Sequence, residues 1–110
     1  MMNSVAIIGY GKMGHEVEKI LQNLNIPIGV IIDTESDWTL KWEQFLKCDV
    51  AIEFTTPEIA PLNFNKCFLN NIPLVSGTTG WYSGFYEVIE LANKQNASFY
   101  SKYPMKTQNF

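Results

Sequence analysis

The sequence has few residues that could cross-link the chain or hold a metal ion. Its 110 residues include two cysteines and one histidine. Cys48 and Cys67 match no metal-binding spacing and stand in apolar surroundings, so we expect buried free thiols in a reducing compartment. His15 follows a glycine-rich segment, where a solvated helix residue is a more frequent role than a general acid. The sequence therefore predicts neither a disulfide framework nor a metal site.

Positive charge and long apolar runs are scarce as well. Eight basic and eleven acidic side chains give a net charge of −3, with no cluster of lysine or arginine. This balance argues against a nucleic acid or an anionic membrane as a partner. No stretch approaches the ~18 apolar residues of a membrane span, and the N-terminus lacks the pattern of a signal peptide. We expect a soluble, cytoplasmic protein.

Aromatic residues, by contrast, are plentiful. They make up 14% of the chain, which is a high share for a short domain. We expect some of them at an interface, and we therefore predict self-association through an exposed aromatic surface.

Apolar runs alternate with segments of helical periodicity along the chain. This alternation is typical of a parallel sheet with right-handed crossovers. It predicts a Rossmann-like, doubly wound α/β fold of three layers, with a single domain over residues 1–101 and a tail over residues 102–110. Pro61 should fall in the first turn of its helix. Strands are predicted near residues 4–9, 28–32, 49–54, 73–76 and 97–101, and helices near residues 12–24, 58–69 and 82–95, with a short turn near residues 39–46.

A glycine motif follows the first predicted strand. Gly9, Gly11 and Gly14 form the pattern Gly-x-Gly-x-x-Gly, and Asp33 ends the second apolar run. In dinucleotide-binding proteins the first glycine permits a tight turn, the second lets the backbone approach a pyrophosphate, and the third lets the helix pack on the sheet. The helix N-terminus adds N–H donors and a partial positive charge, and the acid binds a ribose hydroxyl. The motif and its context predict a dinucleotide site.

Two further polar segments end the third and fourth predicted strands. Residues 53–57 read Glu-Phe-Thr-Thr-Pro, and residues 75–81 read Val-Ser-Gly-Thr-Thr-Gly-Trp. Their hydroxyls and backbone amides could hold a ribose and a carboxamide. Equally, Thr56 could cap a helix and residues 77–80 could form an ordinary glycine turn. The spacing alone does not decide between these interpretations.

The combination of residues 8–14, 49–57 and 77–81 resembles the N-terminal domain of bacterial dihydrodipicolinate reductase, also called 4-hydroxy-tetrahydrodipicolinate reductase. The similarity covers residues 4–100 and is carried mainly by the Phe-Thr-Thr-Pro and Gly-Thr-Thr-Gly segments. That family delivers hydride from a nicotinamide to an α,β-unsaturated cyclic imine in the diaminopimelate route to lysine. The resemblance therefore implies an NAD(P)H-dependent reductase, to which this chain contributes the cofactor-binding half.

The resemblance also implies roles for individual residues. Lys12 and Met13 would border the pyrophosphate, and Asp33 would bind the adenosine ribose. The loop after the third strand would lie beneath the cofactor's ribose, Gly77 would contact the nicotinamide carboxamide, and Thr79 would meet a substrate carboxylate. No catalytic residue is identified. The implied cofactor-binding residues are Gly9, Gly11, Lys12, Met13, Gly14, Asp33, Phe54, Thr55, Gly77, Thr78 and Thr79.

The acid at Asp33 favours NADH over NADPH. A carboxylate accepts a hydrogen bond from a ribose 2′-hydroxyl but repels a 2′-phosphate. Thr34 is neutral, and the nearest lysine, Lys41, would need an unusual loop to come close. NADH is therefore the expected cofactor, with NADPH as the second candidate.

The sequence departs from the family after the last predicted strand. There the family continues with an Ala-x-Asn-Phe-Ser-like segment and a second domain, whose paired histidines and lysine bind the dicarboxylate substrate. Residues 102–110 show neither, and Lys102 and Lys106 are spaced as in an ordinary polar tail. We expect the chain to reduce its small dicarboxylate substrate only when a second domain is supplied. The alternative is a stand-alone dinucleotide-binding module without turnover.

Overall fold

The computed structural model describes residues 4–81 and 84–101. Strands and helices alternate along these residues, as predicted. The strands are β1 (Val5–Ile8), β2 (Ile28–Ile32), β3 (Val50–Glu53), β4 (Leu74–Ser76) and β5 (Phe99–Ser101). The helices are α1 (Lys12–Asn23), α2 (Glu35–Leu40), α3 (Trp42–Leu46), α4 (Ala60–Leu69) and α5 (Phe85–Lys94).

The strands form one parallel sheet in the order β2-β1-β3-β4-β5. β1 therefore pairs with β2 on one side and with β3 on the other. In such a sheet, ligands bind beyond the carboxyl ends of the strands where the chain reverses direction, which here is between β1 and β3. The predicted Rossmann-like fold is confirmed. One row of paired residues crosses the carboxyl side of the sheet: Ile8, Glu53, Ser76 and Ser101.

Side chains of the strands alternate between two apolar clusters, one on each face of the sheet. On one face, Val5 and Ile7 pack with Leu21 of α1. On the other, Ala6 and Ile8 belong to a larger cluster that includes side chains of α2, α3, α4 and α5. Aromatic rings dominate this second cluster, namely Trp38, Phe45, Phe64, Phe68, Trp81 and Phe99. Burial of these rings is the main apolar contribution to folding.

On the face that α1 covers, no other described helix lies over β4 and β5. Of the described helices, α1 packs on this face, against β1 and β2. Val75 of β4 is 41% exposed and Tyr100 of β5 is 56% exposed. A cavity of about 600 Å³ lies beside these two residues, between β4, β5 and the end of α5. This cavity contains none of the predicted cofactor-binding residues.

The helices α1, α4 and α5 end in the same way. The second residue beyond each helix is an asparagine in the left-handed region, with φ of 59° at Asn25, 57° at Asn71 and 55° at Asn96. The N–H of the following residue donates to a carbonyl in the last turn, which is the Schellman arrangement. These bonds join Ile26 to Leu21, Ile72 to Cys67 and Ala97 to Ala92, each at 2.9 Å. All three turns lie at the amino edge of the sheet, opposite the predicted site.

The short turn predicted near residues 39–46 is longer in the structure, where α2 and α3 occupy this region. Both helices are too short to be stable alone. Their stability comes from packing, with the rings of Trp38 and Phe45 edge to face at 5.0 Å and Trp42 beside them. Pro61 lies in the first turn of α4, as predicted. The tail, residues 102–110, lies outside the described residues, as do residues 82–83 of the last predicted helix.

Candidate functional site

Two cavities meet beyond the carboxyl ends of the strands. The first, of about 400 Å³, lies between the ends of β1, β2 and β3 and is called here the Asp33 cavity. The second, of about 410 Å³, lies between the start of α1 and the ends of β3 and β4 and is called the Thr79 cavity. Gly11, Phe54 and Thr55 line both. All of the cofactor-binding residues implied by the resemblance line one or both cavities.

The three glycines of the motif differ in what surrounds them. Gly9 has φ of +99°, and a Cβ there would lie 1.8 Å from the carbonyl oxygen of Phe54. A Cβ at Gly14 would lie 2.2 Å from the carbonyl oxygen of Gly9. Both positions therefore need glycine for the fold itself. A Cβ at Gly11 would meet nothing within 4 Å, so the protein does not need glycine there, but a ligand approaching the backbone does.

The start of α1 faces this point of the crevice. Gly11 is its N-cap residue, with no side chain that could satisfy the first N–H groups of the helix. Such groups attract anions, since they are unpaired within the helix and carry its positive dipole end. Lys12 and Met13 are exposed at the same end and line the Thr79 cavity. The segment therefore offers an anion site where the two cavities meet.

His15 takes part in local packing beside the glycine loop. Its ring stacks on Tyr10 with centroids 3.7 Å apart, and its Nδ1 lies 2.8 Å from the carbonyl oxygen of Gly11. The Tyr10 hydroxyl donates to Glu18 at 2.5 Å, which raises the pKa of Tyr10. His15 lines neither cavity. Its position agrees with the helix-surface role expected from the sequence.

The end of β2 carries more negative charge than the sequence motif indicated. Asp33 is exposed at the wall of its cavity. One turn further on, the Asp37 carboxylate accepts hydrogen bonds from the backbone N–H groups of Asp33 at 2.8 Å and Thr34 at 3.0 Å. These two bonds hold the pKa of Asp37 below its usual value, and the bond from Asp33 has the larger effect. The backbone donors at the end of β2 are thus already occupied by an internal carboxylate.

Lys41 reaches β2 but not the Asp33 cavity, as the sequence led us to expect. It follows α2, and its Nζ donates to the carbonyl oxygen of Ile31 at 2.9 Å. The same nitrogen lies 3.7 Å from Oδ1 of Asp37. Both partners direct the ammonium group to the edge of the sheet, and Lys41 does not line the Asp33 cavity. The positive charge of Lys41 therefore interacts with groups of the protein itself.

The two loops at the ends of β3 and β4 pack directly on each other. A Cβ at Gly77 would lie 2.0 Å from Cε1 of Phe54, so glycine is required for the ring to lie against the backbone. The Thr55 N–H donates to Oγ1 of Thr78 at 2.8 Å. Thr78 is buried, whereas Thr79 is exposed at the mouth of its cavity. The structure therefore turns the hydroxyl of Thr78 inward and leaves Thr79 accessible.

For the polar segments after β3 and β4, the sequence left open whether they bind a ligand or only form a helix cap at Thr56 and a glycine turn at residues 77–80. The structure bears on the cap and the turn separately. Gly80 has φ of +82°, as a glycine turn requires. The backbone carbonyl of Thr56 accepts from Ala60 at 2.9 Å, and α4 has no side-chain cap. Thr56 itself lines the Asp33 cavity. Capping by the Thr56 hydroxyl is thus not observed, while the glycine turn is.

Glu53 was missed as a functional candidate in the sequence. It is fully buried at the end of β3, beneath both loops. Hydroxyl groups of Thr55, Ser76 and Thr78 donate to its carboxylate. In the sequence, an acid at the end of an apolar run looks like the first residue of an exposed loop. The role of Glu53 becomes visible only in the sheet, where it pairs with Ser76 of β4.

The cysteines are buried free thiols, as predicted. Burial, and after it the nearby Glu53 carboxylate, raise the pKa of Cys67 to about 12. Cys67 therefore stays protonated at neutral pH and is a poor nucleophile. Residues 4–81 and 84–101 contain no cluster of three side chains suited to a metal ion. Nor do they contain a helix of the length and hydropathy that a bilayer requires.

Comparison with known proteins decides the family. A model of the N-terminus of dihydrodipicolinate reductase matches residues 3–103. The chain belongs to the dihydrodipicolinate reductase family. Within this family, the 4-hydroxy-tetrahydrodipicolinate reductase of Christiangramia forsetii is 35% identical over 96 residues, and that of Staphylococcus epidermidis is 28% identical over 104 residues. These matches cover 87% and 89% of this chain but 39% and 42% of the relatives.

Solved structures agree with this placement. The dihydrodipicolinate reductase of Paenisporosarcina sp. TG-14, determined with dipicolinate bound, matches with a TM-score of 0.71 and 25% identity. The match covers 92% of this chain and 47% of that one. A WlbA dehydrogenase from Chromobacterium violaceum, determined with NADH and UDP-GlcNAcA, matches with a TM-score of 0.66, 15% identity, and coverage of 91% and 34%. The second likeness concerns the fold alone, since the identity is low.

Proposed function

We propose that this chain binds NADH across the two cavities and forms the cofactor half of a reductase acting on 4-hydroxy-tetrahydrodipicolinate. The observation that carries the proposal is the coincidence of two independent sets of residues. The residues implied by the family resemblance are the same residues that line adjoining cavities at the switch point of the sheet. The two cavities together provide room for the two halves of an extended dinucleotide.

Each part of the dinucleotide has a suitable environment. The adenosine half fits the Asp33 cavity, where Ile59 and Trp38 offer apolar walls and Asp33 can accept from ribose hydroxyls. The pyrophosphate fits at Gly11, where a Cβ would occupy open space and helix N–H groups are available. The nicotinamide half fits the Thr79 cavity. The bound nicotinamide supplies the hydride, and the protein binds and orients it.

Thr79 is the residue of this chain that we propose meets the substrate. It is exposed at the mouth of the cavity proposed for the nicotinamide. A hydroxyl and an N–H group there can donate to one carboxylate of a small dicarboxylate substrate. We assign no general acid or base, because among the described residues Lys12 is the one titratable side chain that lines the Thr79 cavity. The location that we propose is the cytoplasm, where buried thiols such as Cys67 remain reduced.

We expect NADH to bind at least about tenfold more tightly than NADPH, a difference of ~1.4 kcal/mol. Asp33 gives the ribose end of the cavity a negative charge that repels a 2′-phosphate, whereas the charge of Asp37 is paired with Lys41. The backbone donors that could bind that phosphate already bind Asp37. All eight basic residues of the chain are lysines, so the arginine that often holds a 2′-phosphate is missing. Titration calorimetry with both nucleotides measures the preference.

Matched variants test whether the charge at β2 causes this preference. Asp33→Ser should narrow the gap between the two nucleotides, since the repelling carboxylate is removed. Glu43→Gln removes one charge from exposed surface of α3 and should leave the ratio unchanged. Equal or tighter binding of NADPH by the unaltered chain would refute the assignment of Asp33.

We also propose that the chain associates with itself through exposed aromatic side chains, which are fewer than the sequence suggested. Six of the fifteen aromatic rings are buried in the core, and Trp42 and Phe85 pack against it. Tyr86 and Tyr100 are exposed, by 81% and 56%, and Tyr100 lies on the uncovered face of the sheet with Val75. A second copy of the chain could cover this face. Sedimentation of the chain and of Tyr100→Ser would show whether association depends on it.

A further inference from the structure

The buried carboxylate of Glu53 lies at the centre of a network of hydroxyl groups. Its Oε1 accepts from Oγ of Ser76 at 2.6 Å and from Oγ1 of Thr78 at 2.9 Å, and its Oε2 accepts from Oγ1 of Thr55. Among the described residues, no lysine or histidine forms an ion pair with it. A buried charge of this kind is costly unless hydrogen bonds compensate for it. The hydroxyl donors provide that compensation.

The hydroxyl bonds to Glu53 all have the same direction. The hydroxyl groups of its three partners donate to its carboxyl oxygens. Their oxygens are then left to accept from the backbone. Oγ1 of Thr78 accepts from the N–H of Thr55 at 2.8 Å, and Oγ of Ser76 accepts from the N–H of Thr78 at 3.2 Å. Through these bonds the loop after β3 is joined to the loop after β4.

We infer that Glu53 is a positioning residue for the nicotinamide half of the cofactor site. The inference rests on the dinucleotide binding proposed above. Thr55, Gly77 and Thr78 line the Thr79 cavity, and the network holds two of them through Glu53. The N–H of Gly77 also donates to the backbone carbonyl of Glu53 at 2.9 Å. Glu53 touches neither cavity, so it acts through the residues that do.

The network also defines what Thr55 can offer a ligand. Its hydroxyl hydrogen is committed to Glu53, so towards a ribose hydroxyl its oxygen acts as an acceptor. Replacement of the carboxylate by an amide would place N–H donors against one of the three hydroxyls. That hydroxyl must then rotate, and a loop contact is lost or a donor is left unpaired.

The test compares NADH with ADP, which lacks the nicotinamide half. In Glu53→Gln we expect NADH affinity to fall about tenfold, the effect of one misdirected buried hydrogen bond. ADP affinity should fall much less, because the glycine loop and Asp33 are not part of the network and Thr55 is the one hydroxyl partner of Glu53 that lines the Asp33 cavity. Glu58→Gln removes one charge from an exposed residue beside the same loop and should affect neither ligand. Calorimetry gives the affinities, and urea unfolding gives the stability of each variant.

Two outcomes would overturn the inference while leaving the proposed function intact. One is a folded Glu53→Gln variant that binds NADH as tightly as the unaltered chain. The other is an equal loss of NADH and ADP affinity, which would show a general structural role. Should Glu53→Gln fail to fold, Ser76→Ala decides in the same way, since it removes a hydroxyl that joins Glu53 to the loop after β4 and lines neither cavity. Failure of the unaltered chain to bind either nucleotide would instead refute the proposed function.

Discussion

Replacement of Gly11 by valine should abolish NADH binding and leave the domain folded. A Cβ at this position meets no protein atom within 4 Å, so the fold tolerates the side chain. The same open space is where we place the pyrophosphate, at the N-terminus of α1. A valine would keep the phosphates away from the helix N–H groups, and their loss should weaken binding by at least about 100-fold, or ~2.7 kcal/mol. Calorimetry and circular dichroism measure binding and folding on the same sample.

Gly14→Val is the informative companion. Here the added Cβ would lie 2.2 Å from the carbonyl oxygen of Gly9, so α1 cannot keep its distance from the sheet. This variant should lose stability as well as affinity, whereas Gly11→Val should lose affinity alone. A folded Gly11→Val protein with unchanged affinity for NADH would mean that the loop is only a turn.

The 110-residue chain should bind NADH and still reduce no 4-hydroxy-tetrahydrodipicolinate at a measurable rate. Hydride transfer requires the substrate within about 3–3.5 Å of the nicotinamide, and such positioning accounts for ~7–11 kcal/mol of a barrier. In the described residues we assign one side chain, Thr79, to the substrate. One hydroxyl cannot orient a dicarboxylate or exclude water from it. The relatives are longer, and the matched residues cover 39% and 42% of their length.

Turnover can be followed as loss of NADH absorbance after addition of the substrate. We expect no substrate-dependent rate with the chain alone, and a rate restored when the carboxyl-terminal part of a relative is added in cis or in trans. A steady rate from the chain alone that disappears in Thr79→Ala would contradict this view. It would also require a substrate role for Lys102 and Lys106, which lie outside the described residues.

The predicted fold agrees with the structure wherever a helix or strand shows one clear hydrophobic periodicity. β1 and α1 have clear hydrophobic patterns. Each of their predicted ends lies within one residue of the observed end. For α2 and α3 the sequence predicted only a short turn, because Trp38, Trp42 and Phe45 repeat the helical spacing weakly and each helix is short. Trp38 and Phe45 make them helical by packing in the core, and that contact is not visible in a local window.

The glycine loop and Asp33 could be found in the sequence, since each has a known spacing and a known chemical purpose. Glu53 and Asp37 could not, because their roles depend on partners from other segments or on the turn that α2 makes. Glu53 meets Ser76 and Thr78 only after β3 and β4 pair. The bond from Lys41 to the carbonyl of Ile31 could not be predicted for the same reason, since it depends on the position of α2.

The asparagine turns bear on how such a domain can change over evolutionary time. They close α1, α4 and α5 at the edge of the sheet remote from both cavities. Mutations at Asn25, Asn71 or Asn96 thus change the stability of the domain without changing its ligand contacts. Substitutions in the loops at the opposite edge change the ligand contacts. Because the two sets of positions lie at opposite edges of the sheet, their effects should combine independently. A lineage can therefore adapt to temperature at one edge while it explores new ligand preferences at the other.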